Sequence, residues 1–290
     1  MAIAATPIVV TGATGHLGRL AVDSLLARGV AASDIVAVGR SAGKLADVAS
    51  TGVRTAIADY SDRASLDAAF AGAGSLVLVS GSEVGQRVQQ HTNAIDAAVA
   101  AGISRIVYTS APHATTSALV LAPEHKATEE HLASAGVAST VLRNNWYSEN
   151  YAADVERSAE SGVLLSSTGD GRVASASRAD YADAVAAVLT TDGHDGAVYE
   201  LSGDVAWSYA DLAAAIAEIS GTPVEWKNVS TEEHLAILTS AGLDEGTAGF
   251  VVALDGNIRD GLLAETSGDL SRLIGRPTTP LLDGLRATTA

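Results

Sequence analysis

The chain of 290 residues is 47% hydrophobic, has no cysteine and carries a formal net charge of −16 at pH 7. The missing cysteine excludes disulfides, a thiolate nucleophile and zinc–cysteine centres, and the negative charge argues against nucleic acid, whose phosphates call for Lys and Arg. No apolar run reaches the roughly 18 residues of a membrane span, and the opening Met1–Pro7 lacks the basic and apolar build of a secretory signal, so the expectation is a globular cytoplasmic protein with no membrane or nucleic-acid partner.

The chain opens on a strand, a glycine turn and a helix. Ile8, Val9 and Val10 lead into Gly12, Gly15 and Gly18, and an amphipathic run follows from Arg19 to Arg28. The spacing is GxxGxxG, not the GxGxxG of the usual dinucleotide fingerprint. Gly12 permits a tight turn, Gly15 lets backbone approach a phosphate, and Gly18 lets the helix pack against its strand. The first helical amides, with the helix dipole behind them, suit an anion.

Asp34–Arg40 reads as a second strand with a basic end, and Lys44–Ser50 as a short helix. Val53–Ala58 is a third strand ending at Asp59 and Tyr60, and Asp62 is placed to cap a helix reaching Ala71. Ser75–Val79 is a continuous apolar run, as a buried parallel strand should be, and it ends in Ser80-Gly81-Ser82. A long helix spans Gln86–Ala101, a fifth strand Arg105–Ser110, a helix Glu124–Ala135 and a sixth strand Ser139–Arg143. This alternation predicts right-handed βαβ units and a Rossmann-like, doubly wound parallel sheet. Ligands bind such sheets beyond the carboxyl ends of the strands, where Gly12, Arg40, Asp59, Ser80, Ser110 and Asn144 fall. The second half holds shorter, scattered elements that read as a small C-terminal α+β substrate lobe. The expected division is a nucleotide-binding domain over 1–150 and a lobe over 151–290, with elements returning to the first sheet.

The chain resembles the NmrA-like branch of the atypical short-chain dehydrogenase/reductase superfamily. The resemblance is carried by Gly12-Ala13-Thr14-Gly15-His16-Leu17-Gly18, Ser82-Glu83-Val84-Gly85-Gln86-Arg87, the stretch Arg143–Tyr151, and Arg178-Ala179-Asp180-Tyr181. Tyr199–Asp204 and Leu273–Thr279 continue it, so it spans nearly the whole chain. It implies a Rossmann domain binding NADPH, with NADH as a second cofactor. The family also includes cofactor-binding regulators, and related folds often dimerise.

On this footing Gly12, Thr14, Gly15, His16, Leu17 and Gly18 form the phosphate cradle. An acidic residue ending the second strand would hold the ribose diol of NAD; Arg40 stands there instead, and a guanidinium suits a 2′-phosphate. Asp59 takes the family's adenine-contacting position, and Tyr60 either packs near the adenine or closes the turn. Ser80, Gly81 and Ser82 offer backbone and hydroxyls to ribose or phosphate. Glu83 reads as favouring the N-terminus of the helix that follows.

Typical short-chain dehydrogenases pair a serine, here Ser110, with a Tyr-x-x-x-Lys. Aligning the helix by Glu129 and Leu132 puts His125 at the lysine and Leu121 at the tyrosine. The usual acid is missing, so ordinary ketone reduction by that mechanism is not expected. Hydride transfer to a quinone or similar aromatic, conjugated acceptor asks less, because the developing oxyanion is comparatively stable and positioning supplies most of the catalysis. Ser110, His125, Asn144 and Tyr147 are the candidate catalytic residues, with His125 as a neutral donor to ribose or nicotinamide and Asn144 at the nicotinamide. His113, Asn145, Trp146 and Tyr147 are candidates for the acceptor side, and Arg143 for a structural ion pair. His125 and His131 lie on different helix faces, so no metal is expected. The alternatives are a carbonyl or imine reductase using the same pocket, and a non-catalytic NADP(H)-sensing regulator.

Overall fold

The fold was analysed in a computed structural model, which describes residues 6–289. Most of the opening stretch scanned for a targeting signal, residues 1–5, lies outside them. In chain order the elements are β1 (Ile8–Val10), α1 (His16–Ala27), β2 (Ile35–Gly39), α2 (Ala42–Ala49), β3 (Arg54–Ile57), α3 (Arg63–Phe70), β4 (Ser75–Leu78), α4 (Arg87–Ala100), β5 (Arg105–Ser110), α5 (Ala122–Ser134) and β6 (Ala138–Asn144). There follow α6 (Ala152–Ser161), β7 (Val163–Ser166), β8 (Arg172–Val173), α7 (Arg178–Thr190), β9 (Val198–Leu201), β10 (Trp207–Ser208), α8 (Tyr209–Ser220), β11 (Glu225–Asn228), α9 (Thr231–Ser240), α10 (Glu245–Arg259), α11 (Asp269–Ile274) and α12 (Leu281–Thr289). No helix among the described residues is long and apolar enough to cross a membrane.

One sheet has the order β3-β2-β1-β4-β5-β6-β9. The β1–β2, β1–β4, β2–β3, β4–β5 and β5–β6 pairs are all parallel. The Val141 N–H donates to the Ala197 carbonyl and the Asn145 N–H to that of Leu201, so β9 runs the same way. Strand composition follows place. Central β1, β4 and β5 are buried on both faces past their first residue, β1 and β4 with mostly apolar side chains, whereas edge β3 is largely exposed. The order reverses between β1 and β4, the switch point at which such sheets open a crevice beyond their carboxyl ends. Phe70, Leu76, Leu78, Ile95, Ile106 and Tyr108 lie in the core between sheet and helices, and burying each large apolar side chain contributes roughly 1.5–3 kcal/mol.

Two compact units share the chain. The first takes residues up to 115, then 123–144 and 178–199; the second takes 116–122, 145–177 and those from 200 onward. A single cut at 150 therefore differs from the observed division. Helix α7 returns to the first unit, where it packs along α1 and Asp183 accepts a 2.7 Å hydrogen bond from Ser24. Tyr181, Ala182, Val185 and Val188 of α7 are all fully buried, which explains its lack of an amphipathic pattern.

The second unit has a buried interior of its own, contrary to the scattered impression its sequence makes. It holds a parallel β7–β11 pair and an antiparallel β8–β10 pair. The rings of Tyr151 and Trp207 meet edge to face at 5.1 Å, with Tyr209 beside them. Nearby lies a buried polar knot. Asp255 accepts from the Ser167 N–H at 2.6 Å and from its hydroxyl at 2.9 Å, and lies 2.9 Å from His234 Nδ1.

Gly249 sits inside α10 where an added Cβ would meet no atom within 4 Å. Gly249→Ala is therefore expected to stabilise the protein by about 0.5–1 kcal/mol through helix propensity and a less free unfolded chain. A rise in the urea midpoint at unchanged m-value checks this; a fall would contradict the open space around the site.

Candidate active site

The glycine turn is built as its spacing requires. Gly12 has φ +62, in the left-handed region. The Gly15 N–H closes the turn on the Gly12 carbonyl at 2.9 Å. A Cβ on Gly18 would lie 2.6 Å from Gly12 C and 2.9 Å from Ala13 N, so helix and turn touch backbone to backbone. A Cβ on Gly39 would meet the Thr14 side chain at 2.6 Å, so the end of β2 is hollowed to seat Thr14. Gly15 caps α1 without a side-chain bond, and no acidic residue stands in the first turn. By helix geometry the N–H groups of His16, Leu17 and Gly18 have no intrahelical acceptors. His16 is exposed, but the Leu17 side chain points into the core, so Leu17 can offer a ligand only its backbone.

Around the switch point, Thr11 ties β1 to β4. Its hydroxyl donates to the Val77 carbonyl at 2.9 Å and accepts from the Val79 N–H at 3.1 Å. Tyr60 turns its hydroxyl into this knot, 2.6 Å from Thr11 Oγ1 and 2.7 Å from the Val79 carbonyl. Burial pushes the Tyr60 hydroxyl pKa up, with only a partly offsetting bond to Thr11. The Tyr60 hydroxyl is thus spent on closing the turn, and only its half-buried ring is left to pack near an adenine.

Arg40, at the end of β2, places Nη1 2.7 Å from Glu83 Oε1 and 3.9 Å from Asp59 Oδ2. Asp59 also accepts from the Ser61 N–H at 2.8 Å, closing a local turn. Glu83 therefore does more than favour a helix start. Ser80 donates its N–H to Thr109 Oγ1 at 3.0 Å, while Ser82 is exposed.

Gly81 is held from behind by two rungs that sequence reasoning missed. Its carbonyl accepts from Arg87 Nε at 2.8 Å, and its N–H donates to His91 Nε2 at 2.9 Å. Arg87 and His91 lie four apart on α4, hence on one face. Facing them on α5 are Glu124 and Thr128, again four apart. Arg87 Nη1 meets Glu124 Oε2 at 2.5 Å, and His91 Nδ1 is 3.0 Å from Thr128 Oγ1. The other Glu124 oxygen accepts from the Gly85 N–H at 2.7 Å. The bond from Gly81 makes His91 Nε2 an acceptor, so the ring hydrogen sits on Nδ1 and goes to Thr128, which donates to the Glu124 carbonyl at 2.9 Å. The available signal was two polar i, i+4 pairs on two helices of a cysteine-free, highly apolar fold. The Gly81 amide and carbonyl both face protein and are not offered to a ligand, unlike the expectation from sequence.

His125 is buried on α5, with Nδ1 2.7 Å from the Tyr108 hydroxyl. Burial, then the Arg87 cation, pushes its pKa down to about 3, and the ring is neutral at pH 7. Assigning the Tyr108 proton to Nδ1 leaves the ring hydrogen on Nε2, a neutral donor. Ser110 differs from its catalytic reading. Its hydroxyl donates to Glu129 Oε1 at 2.6 Å, and Arg143 grips the same carboxylate with Nε at 3.0 Å and Nη2 at 2.6 Å. The Ser110 proton is thus committed to a buried, bidentate ion pair, and Arg143 is structural as read.

Asn144 is buried at the carboxyl end of β6. His113, in the loop after β5, is half-buried with φ +46, the one non-glycine in the left-handed region among the described residues. Strain of this kind gathers at functional sites. Asn145, Trp146 and Tyr147 belong to the second unit. Asn145 spends its amide there, accepting from the Trp146 N–H at 2.7 Å and donating to the Leu263 carbonyl at 3.2 Å. It is a structural residue, which corrects its reading as an acceptor-side hydrogen bonder. Trp146 and Tyr147 are half-buried, and the Tyr147 backbone bridges to Ala176. Leu121 precedes α5 in a turn, so no tyrosine stands one turn before His125.

A family model described as NAD(P)H-binding matches residues 12–192. Quinone oxidoreductase 2 of Escherichia coli is 47% identical over 278 residues, covering 96% of this chain and 97% of that protein. A crystal structure of the NADPH-dependent quinone oxidoreductase from Escherichia coli, complexed with NADPH, superposes with a TM-score of 0.93 at 46% identity, covering 98% of this chain and 100% of that one. The Citrobacter sp. triphenylmethane reductase complexed with NADP(H) superposes with a TM-score of 0.91 at 37% identity, over 97% of this chain and 99% of that one.

Proposed function

The chain belongs to the NAD(P)H-binding family, in its NmrA-like branch, and from that premise we propose an NADPH-dependent oxidoreductase that delivers hydride directly to a quinone or a similar conjugated acceptor. The observation that carries the reading is the turn before α1, whose unbonded amides stand without an acidic neighbour in the first helical turn, together with an arginine where an NAD site would carry an acid. Both suit NADPH. A Cβ at Gly18 would strike the Gly12–Ala13 backbone, so only glycine lets α1 close on the turn that presents its amides, and Arg40 is a cation for the 2′-phosphate.

When bound, NADPH supplies the hydride; the chain supplies binding and orientation. The amides of His16, Leu17 and Gly18 hold the pyrophosphate. Arg40 takes the 2′-phosphate, and Asp59, Ser80 and Ser82 border the adenosine side. His125 donates from Nε2 to ribose or carboxamide, and Asn144 orients the nicotinamide end. Ser110 acts through Glu129 and Arg143, fixing the β5 and β6 ends. With Leu121 in the tyrosine position and the Ser110 proton committed, a ketone finds no side-chain acid of the usual kind. A quinone needs less, since its reduced oxyanion takes its proton from water. His113, held in strained backbone, stays the proposed acceptor-side residue of the first unit.

Steady-state oxidation of NADPH against a panel of quinones, simple ketones and imines tests this. Turnover with quinones and none with simple ketones is expected. Tight NADPH binding without turnover on any acceptor would overturn the enzyme in favour of a sensing regulator. Arg40→Asp is expected to weaken NADPH binding roughly tenfold or more while leaving NADH within about twofold. A charge-assisted bond contributes roughly 1.5–3 kcal/mol, and the exposure of Arg40, 66% at its side chain, puts the effect at the low end. Equal losses for both cofactors in a fluorescence titration would contradict the assignment.

A further inference from the structure

We propose that Glu83 sets the preference between NADPH and NADH: its carboxylate holds the place of the 2′-phosphate on Arg40, competing with that phosphate and accepting from the ribose diol when the phosphate is missing. The inference rests on the reading of Arg40 as the 2′-phosphate residue and goes one residue further.

The geometry around Glu83 differs from that of an ordinary surface glutamate. Oε1 is 2.7 Å from Arg40 Nη1, and Oε2 accepts from Gln90 Nε2 at 2.9 Å. Gln90 is buried on α4 and its amide also reaches Ser61 Oγ at 3.3 Å, so the group that aims Glu83 is itself fixed. The backbone is fixed as well. The Glu83 carbonyl accepts from the N–H groups of Gln86 and Arg87, and the Gly85 N–H is held by Glu124. Gln90 first and Arg40 second keep the Glu83 carboxyl below its usual range. An anion is thus pre-organised on the guanidinium proposed to bind an anion.

Two consequences follow from charge alone. The pair is exposed, with side chains 66% and 36% accessible, and exposed pairs are weak. A phosphate makes stronger, charge-assisted contacts to a guanidinium, so NADPH displaces Glu83 at a modest cost. An acidic residue near the ribose is also the usual acceptor for the 2′-hydroxyl of NAD. With NADH, Glu83 keeps its place on Arg40 and accepts from that hydroxyl. One side chain therefore lowers the affinity for NADPH and raises that for NADH.

Glu83→Gln keeps the shape and the Gln90 contact but removes the charge. Affinities are to be measured by calorimetry for NADPH, NADH, 2′,5′-ADP and 5′-ADP on the parent, Glu83→Gln and Arg40→Ala. The expected result is a roughly two- to fivefold tighter Kd for NADPH and 2′,5′-ADP, and a weaker Kd for NADH and 5′-ADP, in Glu83→Gln. If Arg40→Ala weakens 2′,5′-ADP but Glu83→Gln does not tighten it, the competition is wrong while the Arg40 assignment stands. If Arg40→Ala leaves 2′,5′-ADP unchanged, the Arg40 assignment fails and the proposal with it. Parallel shifts of the phosphorylated and unphosphorylated ligands would also overturn it.

Discussion

Gly18→Ala is expected to weaken NADPH binding by at least about tenfold while leaving a folded protein. The new methyl carbon would sit 2.6 Å from Gly12 C and 2.9 Å from Ala13 N, and closer still to the Gly12 carbonyl oxygen. None of these is a flexible side-chain end, so α1 must move off its turn or the turn must open. Overpacking of this kind costs about 1–3 kcal/mol. The displaced parts are the ones whose amides are proposed to hold the pyrophosphate. Gly12, already at φ +62, has little freedom to absorb the shift. The loss should therefore appear in the Kd for NADPH and, to a similar extent, for NADH, because both carry the pyrophosphate. Gly43→Ala is the control. It lies in α2 with only the Ser41 hydroxyl 4.0 Å from the new carbon, and it should change neither Kd. A Gly18→Ala protein binding NADPH like the parent would remove the glycine turn from the site.

The second large effect is of pH on stability. His91 and His125 are buried, and burial pushes both from an ordinary pKa of 6.5 down to about 3. At His91 the proton would also land on Nε2, facing the Gly81 N–H, with the Arg87 charge nearby. The folded chain refuses these protons, whereas the unfolded chain takes them up near pH 6.5. Stability is therefore full above pH 6.5 and falls as pH drops from there toward 3. Each histidine contributes a slope approaching about 1.4 kcal/mol per pH unit, so the two together approach about 2.7 near pH 5. By pH 3 the two together remove about 9 kcal/mol, comparable with the whole stability of about 5–15 kcal/mol of a folded protein. The carboxyls held low in the folded state, such as Asp211 and Asp244, start from an ordinary value of 3.8, below the pH 5.0–7.5 range over which the slope is read. Urea unfolding at pH 7.5, 6.5, 5.5 and 5.0 measures the slope, and a flat profile would rule out the buried neutral pair. His91→Gln, which can still accept from Gly81, should leave roughly half the slope.

The βαβ order was legible because its signals are local or periodic. Strand β5 spans Arg105–Ser110, the bounds read from the sequence. The Asp62 cap is local too, accepting from the N–H groups of Ala64 and Ser65. Even the small error at α5 has a local cause. Pro123 reads as a loop residue, but the first turn of a helix tolerates proline because that N–H has no acceptor there, and the helix starts at Ala122. What sequence did not carry were pairings decided by packing. Arg87 finds Glu124 across 37 positions and Arg40 finds Glu83 across 43. Neither spacing has a period. The same holds for α7, whose uniform apolarity says that it is buried but not against what. Residue type alone also misled at Asn145 and Ser110, where polar groups at strand ends face protein partners rather than a ligand.

The double hold on the Gly81 peptide has a use in protein engineering. Because α4 and α5 grip that peptide and the Gly85 N–H from the rear, the side chains at Glu83 and Val84 hang from a backbone fixed independently of them. Val84 is exposed, so positions 83 and 84 form a replaceable cassette. A combinatorial library confined to them, with Gly81, Gly85, Arg87 and His91 left intact, varies the chemistry at the rim of the proposed cofactor site on one constant frame. Differences between members then report on side-chain chemistry rather than on a shifted backbone.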